Sequence, residues 1–269
     1  MNDVWRRRFE GALLPAALLV IWQVVASFGL VNPQLLPSPL AVLYKWWAYL
    51  VPETQAGADP LAWLMGSELL ADVVSSLSRV LLGFVLGTLL ALPLGLLMGA
   101  VPRVYRLCNP LVQLLRPIPP IAYIPLAILW FGLGNPPAVF LIVLGAFFPV
   151  LMNTLAGVQH VDAIYLRAAR NLGADPRTIF LRVMLPAAAP HILSGMRVGI
   201  GTAFIVVIVA EMIAVNNGLG FRILEAREYF WSDKIMAGML TIGLLGLAID
   251  LAMSRISQHL LRWHRGAER

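Results

Sequence analysis

Residues 81–100 read LLGFVLGTLLALPLGLLMGA, a stretch with no charged side chain and one hydroxyl, Thr88. An apolar run of roughly 18 residues or more can cross a hydrocarbon core about 30 Å thick. In lipid every backbone polar group must be satisfied internally, which leaves helices or a closed barrel. A barrel strand would alternate apolar and polar residues over about 10 positions. This run does not alternate, so it predicts a membrane-spanning helix. The rest of the chain agrees. Hydrophobic residues make up 59% of the 269 and charged residues 13%, with a mean hydropathy of +0.80. Soluble domains carry about 25% charged residues, so this chain lacks the polar surface a soluble fold requires.

Further apolar runs place spans at about 11–31, 73–100, 107–134, 137–157, 190–214 and 235–258. The expected fold is all-α and polytopic, with about six transmembrane helices. The first run follows Arg6, Arg7 and Arg8. It exceeds a signal-peptide apolar region of 7–15 residues and lacks a small-x-small cleavage site, so it is read as a retained span. The aromatic stretch around Tyr44, Trp46, Trp47 and Tyr49 fits either an interfacial helix or a helix packed on its own bundle.

The third run contains Pro110, Pro117, Pro119, Pro120 and Pro125. Prolines interrupt the helical ladder, and such breaks at membrane depth survive inside a bundle or beside a water-filled cavity. The segment is either part of a pathway, with Pro117, Pro119 and Pro120 at its break, or a kinked structural helix.

The net charge is +6. Its arginines sit mainly at the ends of apolar runs, which indicates topology signals and not a nucleic-acid surface. With the N-terminus inside, cytoplasmic segments hold Arg6 to Arg8, Arg103, Arg106, Arg167, Arg170, Arg177, Arg182, Arg262, Arg265 and Arg269. Outer segments hold Lys45, Arg222, Arg227 and Lys234, with Glu225, Glu228 and Asp233 in the last outer loop. The asymmetry predicts both termini in the cytoplasm and an even span count. The one cysteine, Cys108, excludes an internal disulfide. His160, His191, His259 and His264 are scattered and predict no metal site.

The stretch YLRAARNLGADPRTIFLRVMLPAAAP, 165–190, predicts helix, turn, helix. Asp162 caps the first helix and Gly173 ends it. Asp175 caps the second with Pro176 at its first position, and Leu185-Pro186 with Pro190 leads into the fifth span. Ala168 and Ala169 leave a low surface. A loop this long between two spans fits either a docking element for a soluble partner or a plain ordered connection.

This segment resembles the EAA loop of permease subunits of bacterial ATP-binding cassette importers, with Ala168, Ala169, Gly173, Leu185 and Pro186 in register. Arg167 stands where the family has Glu. LLRPIPPIAYIPLAILWFGLG (114–134), GAFFPVLMNTLAGV (145–158) and AEMIAVNNGLGFRILEAREYFWSD (210–233) are similar to the nitrate, sulfonate, taurine and bicarbonate branch. The resemblance spans about 73–263. It leaves 1–72 as an N-terminal span with a periplasmic segment and 264–269 as a cytoplasmic tail.

The resemblance implies a type I importer permease fold. It also implies two permease chains, a homodimer being expected, with two ATPases and a periplasmic binding protein. The coupling surface implied is Arg167, Ala168, Ala169, Gly173, Ala174, Asp175, Phe180, Leu185 and Pro186. No G-x-x-x-x-G-K-[S/T] loop is present and the lysines are Lys45 and Lys234, so ATP and Mg2+ are expected on the partner and no cofactor on this chain. No convergent acid–base group for an enzyme is evident. Remaining pathway candidates are Glu211, Asn216 and Asn217 at the outer end of the fifth span, with Glu211 expected to shape an outer gate or pair with an arginine. Arg197, further in, fits anion attraction or snorkelling, and Asp250 is expected to pair with Arg255. A secondary transporter or channel is the alternative function.

Overall fold

A computed structural model describes the backbone of residues 2–51 and 66–262, and the side chains of Gly11, of 13–51 and of 66–262. The expected tail at 264–269 and the side chains of Arg6 to Arg8 lie outside these described residues. Among the described residues ten helices follow in order: α1 Asn2–Ser27, α2 Pro39–Leu50, α3 Glu68–Ala100, α4 Pro102–Leu115, α5 Ile124–Phe131 after a 3-10 turn at Pro120–Tyr123, α6 Asn135–Gln159, α7 Ala163–Asn171, α8 Pro176–Ala214, α9 Leu219–Glu228 and α10 Ser232–Leu260. No strand occurs among the described residues.

Four helices among the described residues, α3, α6, α8 and α10, are long and apolar enough to span a membrane. The bent pair of α4 with Pro120–Phe131 makes a fifth, with an 82° bend between its arms. The sixth expected span is α1, whose described apolar part is Leu13–Ser27. Trp22 donates to the Pro37 carbonyl at 3.1 Å, which ties α1 to the turn ahead of α2.

The core is α6 between α3 and α8, with Ile142, Ala146, Val150 and Leu151 wholly buried. Lipid gives apolar helices no hydrophobic reason to associate, so close approach and dispersion contacts must hold them. The sequence supplies this through Gly83, Gly87, Ala91, Gly95 and Gly99, one small residue every four positions along α3. At Gly87 a Cβ would sit 2.9 Å from the Val143 carbonyl oxygen, which is backbone and cannot swing away. Gly87→Leu is therefore expected to lower stability by about 1–3 kcal/mol. Thermal unfolding in detergent would show it as a reduced Tm. Gly243→Leu is the control, because nothing lies within 4 Å of its Cβ position.

α2 resolves the two readings of its aromatics by face. Tyr49 is buried and Trp46 donates to Thr241 on α10 at 3.0 Å, whereas Tyr44 and Trp47 point outward. Leu185-Pro186 leads into the fifth span without interrupting the helix. No new helix starts there: the helix capped by Asp175 runs through to Ala214. Its Phe180–Met184 turn is a π-helix, in which Leu185 donates to the Phe180 carbonyl. This wider turn accommodates Pro186, which lacks the donor an α-turn would need.

The bundle thus has two distinct ends. The 160–175 loop and the junction of α3 with α4 share one. The N-termini of α3 and α6, the C-terminus of α8, and α9 share the other.

Candidate functional site: a coupling loop, a mid-bundle cleft and a buried polar clasp

At the loop end, Asp162 accepts from the Ile164 N–H at 2.8 Å and starts α7. Gly173, at φ +79°, closes it. Its N–H reaches the Arg170 carbonyl at 2.9 Å, and the Ala174 N–H reaches Ala169 at 3.0 Å. These two bonds form a Schellman closure, which needs a left-handed residue at this position. Asp175 accepts from the Thr178 N–H at 3.4 Å to start α8. Hydrogen bonding from Thr178 holds the Asp175 carboxyl below its usual range, which keeps the cap ionised.

The result is a rigid, short helix with no apolar shield over it. Ile164, Tyr165 and Leu172 are 60%, 61% and 87% exposed. Arg167, Ala168 and Gly173 are exposed, while Ala169, Ala174, Phe180, Leu185 and Pro186 are half-buried. Ala174 and Phe180 border a hollow against Leu97 and Val101 on the α3–α4 junction.

Midway along α6 lies a cleft of about 490 Å³ between the broken segment, α6 and α8. Pro119 and Pro120 line it with Phe148, Met152, Asn153 and Thr202; Pro117 does not. The break that separates α4 from Pro120 therefore forms one wall of this cleft.

The opposite end carries a polar cluster that the sequence reading had not assembled. Arg79 is 5% exposed and Glu211 is fully buried, and they form an ion pair at 2.5 Å. Arg79 also donates to Asn135 at 2.7 Å, to the Asn217 carbonyl at 3.2 Å, and to the Asn217 side-chain oxygen. Glu211 further accepts from Ser76 at 2.9 Å and from the Gly220 N–H at 3.0 Å. Asp72 accepts from the Gly218 N–H at 2.8 Å, Tyr49 at 2.6 Å and Arg222 at 2.8 Å. Burial, and then the bond to Asp72, push the Tyr49 hydroxyl above its usual range, so it remains a donor. Arg222 reaches Glu68 and Glu225 as well, each at 3.0 Å. The cluster pins α2, α3, α6, α8 and α9 together.

Of the pathway candidates, Glu211 has its arginine partner in Arg79 and lines none of the described clefts. Asn217 belongs to the same clasp, and Asn216 lines a small hollow with Leu133 and Ile213. Arg197 donates through Nε and Nη2 to the two carboxylate oxygens of Asp250, at 2.7 Å each, so Asp250 joins α10 to α8 and does not pair with Arg255. Sequence reasoning had passed over Asp72, Ser76 and Arg79. Their spacing of four and three puts them on one face of α3, and the charges of Asp72 and Arg79 at the head of an apolar span were the available signal.

These features define a multi-pass helical membrane protein with an exposed end loop and a cleft at mid-depth. Residues 71–266 match the family described as binding-protein-dependent transport system inner membrane component, and the chain belongs to that family. The taurine transport system permease protein TauC of Escherichia coli is 36% identical over 93% of this chain and 87% of its own. The bicarbonate transport system permease protein CmpB of Synechococcus elongatus is 31% identical over 96% and 92%. The MetNI methionine ABC transporter, solved in inward-facing conformations, shares the fold with a TM-score of 0.63 at 20% identity, covering 75% of this chain and 98% of that one. The chain is accordingly an inner-membrane transport subunit and not an enzyme, the ATPase of such systems being a separate subunit.

Proposed function

We propose that this chain is the transmembrane subunit of an ATP-driven importer for a small anion delivered by a periplasmic binding protein. Sulfonates such as taurine, or nitrate, are the first choice of cargo, with bicarbonate in the same class. Two copies of the chain pair to enclose the pathway, and two ATPase subunits, which hold ATP and Mg2+, drive it. This chain binds no cofactor. The exposed α7 helix carries this reading. Its capped, closed geometry positions Ile164, Tyr165 and Leu172 outward at one end of the bundle, a surface suited to a partner's groove.

The arginine asymmetry orients that end, with both chain termini, toward the cytoplasm. The clasp end then faces the binding protein. The relatives named for taurine and bicarbonate transport support an anionic cargo. Expression of the chain with its neighbouring genes tests the assembly: an ATPase should copurify with it in detergent. A chain that purifies folded and without any ATPase would contradict the reading and favour a transporter driven by an ion gradient.

A further inference from the structure

The mid-bundle cleft has one charged lining residue, Arg116, and its other walls are mostly apolar. Arg116 ends α4 at the break before Pro117, where its backbone N–H still bonds to Val112 at 2.9 Å. Its side chain is exposed. No described acid pairs with it: the ion pairs among the described residues use Lys45, Arg79, Arg197, Arg222 and Lys234. The cleft lies against Leu144 to Asn153 of α6 and Val198 to Val206 of α8, near the middle of both helices and far from their ends. An arginine beside such a cleft is costly unless water or a counter-charge meets it. Elsewhere in the bundle Arg79 and Arg197 are each paired, with Glu211 and Asp250. Arg116 has no such partner within the described chain.

We infer that Arg116 is the anion-selecting group of the pathway, supplying the positive charge that a transiting small anion meets in the cleft. The inference rests on the importer reading above and assigns its selectivity to one residue. The planar guanidinium matches a nitrate, carboxylate or sulfonate group through paired N–H donors. Apolar walls at Ile118, Phe148 and Met152 add no fixed negative charge and leave the field of Arg116 unopposed. A single cation also suits transit, because a pathway must release what it binds.

The proposal predicts local charge selectivity that can be measured without knowing the cargo. Cys108 is the chain's one cysteine, so Cys108→Ser with Ile205→Cys leaves one thiol on the cleft wall, at a position 65% exposed. The complex is treated with a negatively charged ethylsulfonate thiosulfonate or a positively charged trimethylammonium thiosulfonate. The anionic reagent should react faster relative to its rate with a free thiol. Arg116→Gln should reduce that preference by about tenfold, as removal of a unit charge from the same cleft implies, and Arg116→Lys should retain it. An unchanged ratio in Arg116→Gln would overturn the assignment, as would a thiol unreactive toward both reagents. Failure of ATP-driven uptake with the ratio intact would instead refute the importer reading and leave the electrostatic role standing.

Discussion

Replacing Arg79 with methionine is expected to cost about 3–5 kcal/mol of stability, the usual penalty for stranding one member of a buried ion pair. Glu211 is wholly enclosed, and Arg79 is the cation bonded to it. Without that partner the carboxylate keeps its bonds from Ser76 and Gly220 but loses its counter-charge. Asn135 and Asn217 lose their donor at the same time. Arg79→Met with Glu211→Met should recover most of the loss, because neither member of the pair is then left as an uncompensated buried charge. Unfolding of the three variants in detergent provides the measurement. Equal stability of wild type and Arg79→Met would mean that the clasp does not hold the N-terminal part of α3, the C-terminal part of α8 and α9 together.

The second large effect is expected at Gly173. A β-branched side chain is strongly disfavoured at φ +79°, and Gly173→Ile would open the two hydrogen bonds that close α7. On the docking reading, ATPase association and transport should fall by more than about tenfold, a factor reached with roughly 1.4 kcal/mol of lost interface. Membrane insertion should remain normal, since Gly173 is exposed with nothing within 4 Å of its Cβ position. Ala168→Trp should reproduce the loss by bulk alone, leaving the backbone of α7 unchanged. Copurified ATPase per permease chain and uptake by the same preparations are the quantities to compare. Full coupling in both variants would remove the docking role from this loop.

The parts of this molecule that depend on neighbouring residues were legible in the sequence. Apolar runs located α3, α6, α8 and α10, and the cap residues Asp162, Gly173 and Asp175 act through bonds to residues within a few positions. The prolines around 117–120 marked a break that the structure shows as an 82° bend. Pro186, read as leading into the fifth span, does so without a break, because a π-turn lets the helix pass through it. Longer-range features were harder to see. The clasp joins Asp72 and Arg79 to Glu211, Asn217 and Arg222, and the Arg197–Asp250 pair spans two helices. Hydropathy locates such charges without identifying their partners. The small-residue stripe on α3 was visible as a spacing of four, but its meaning required α6 to lie against it.

A buried polar clasp at one end of the bundle and an exposed loop at the other bracket a cleft whose one charged lining residue, Arg116, has no acidic partner among the described residues. The most direct test of that account is uptake into vesicles reconstituted with the purified complex and its binding protein, using labelled taurine and nitrate as probes. ATP with Mg2+ should drive accumulation of at least one probe. Omission of the ATPase subunit should abolish it, and an imposed proton or sodium gradient should not substitute. Accumulation driven by an ion gradient in vesicles that lack the ATPase would contradict the account.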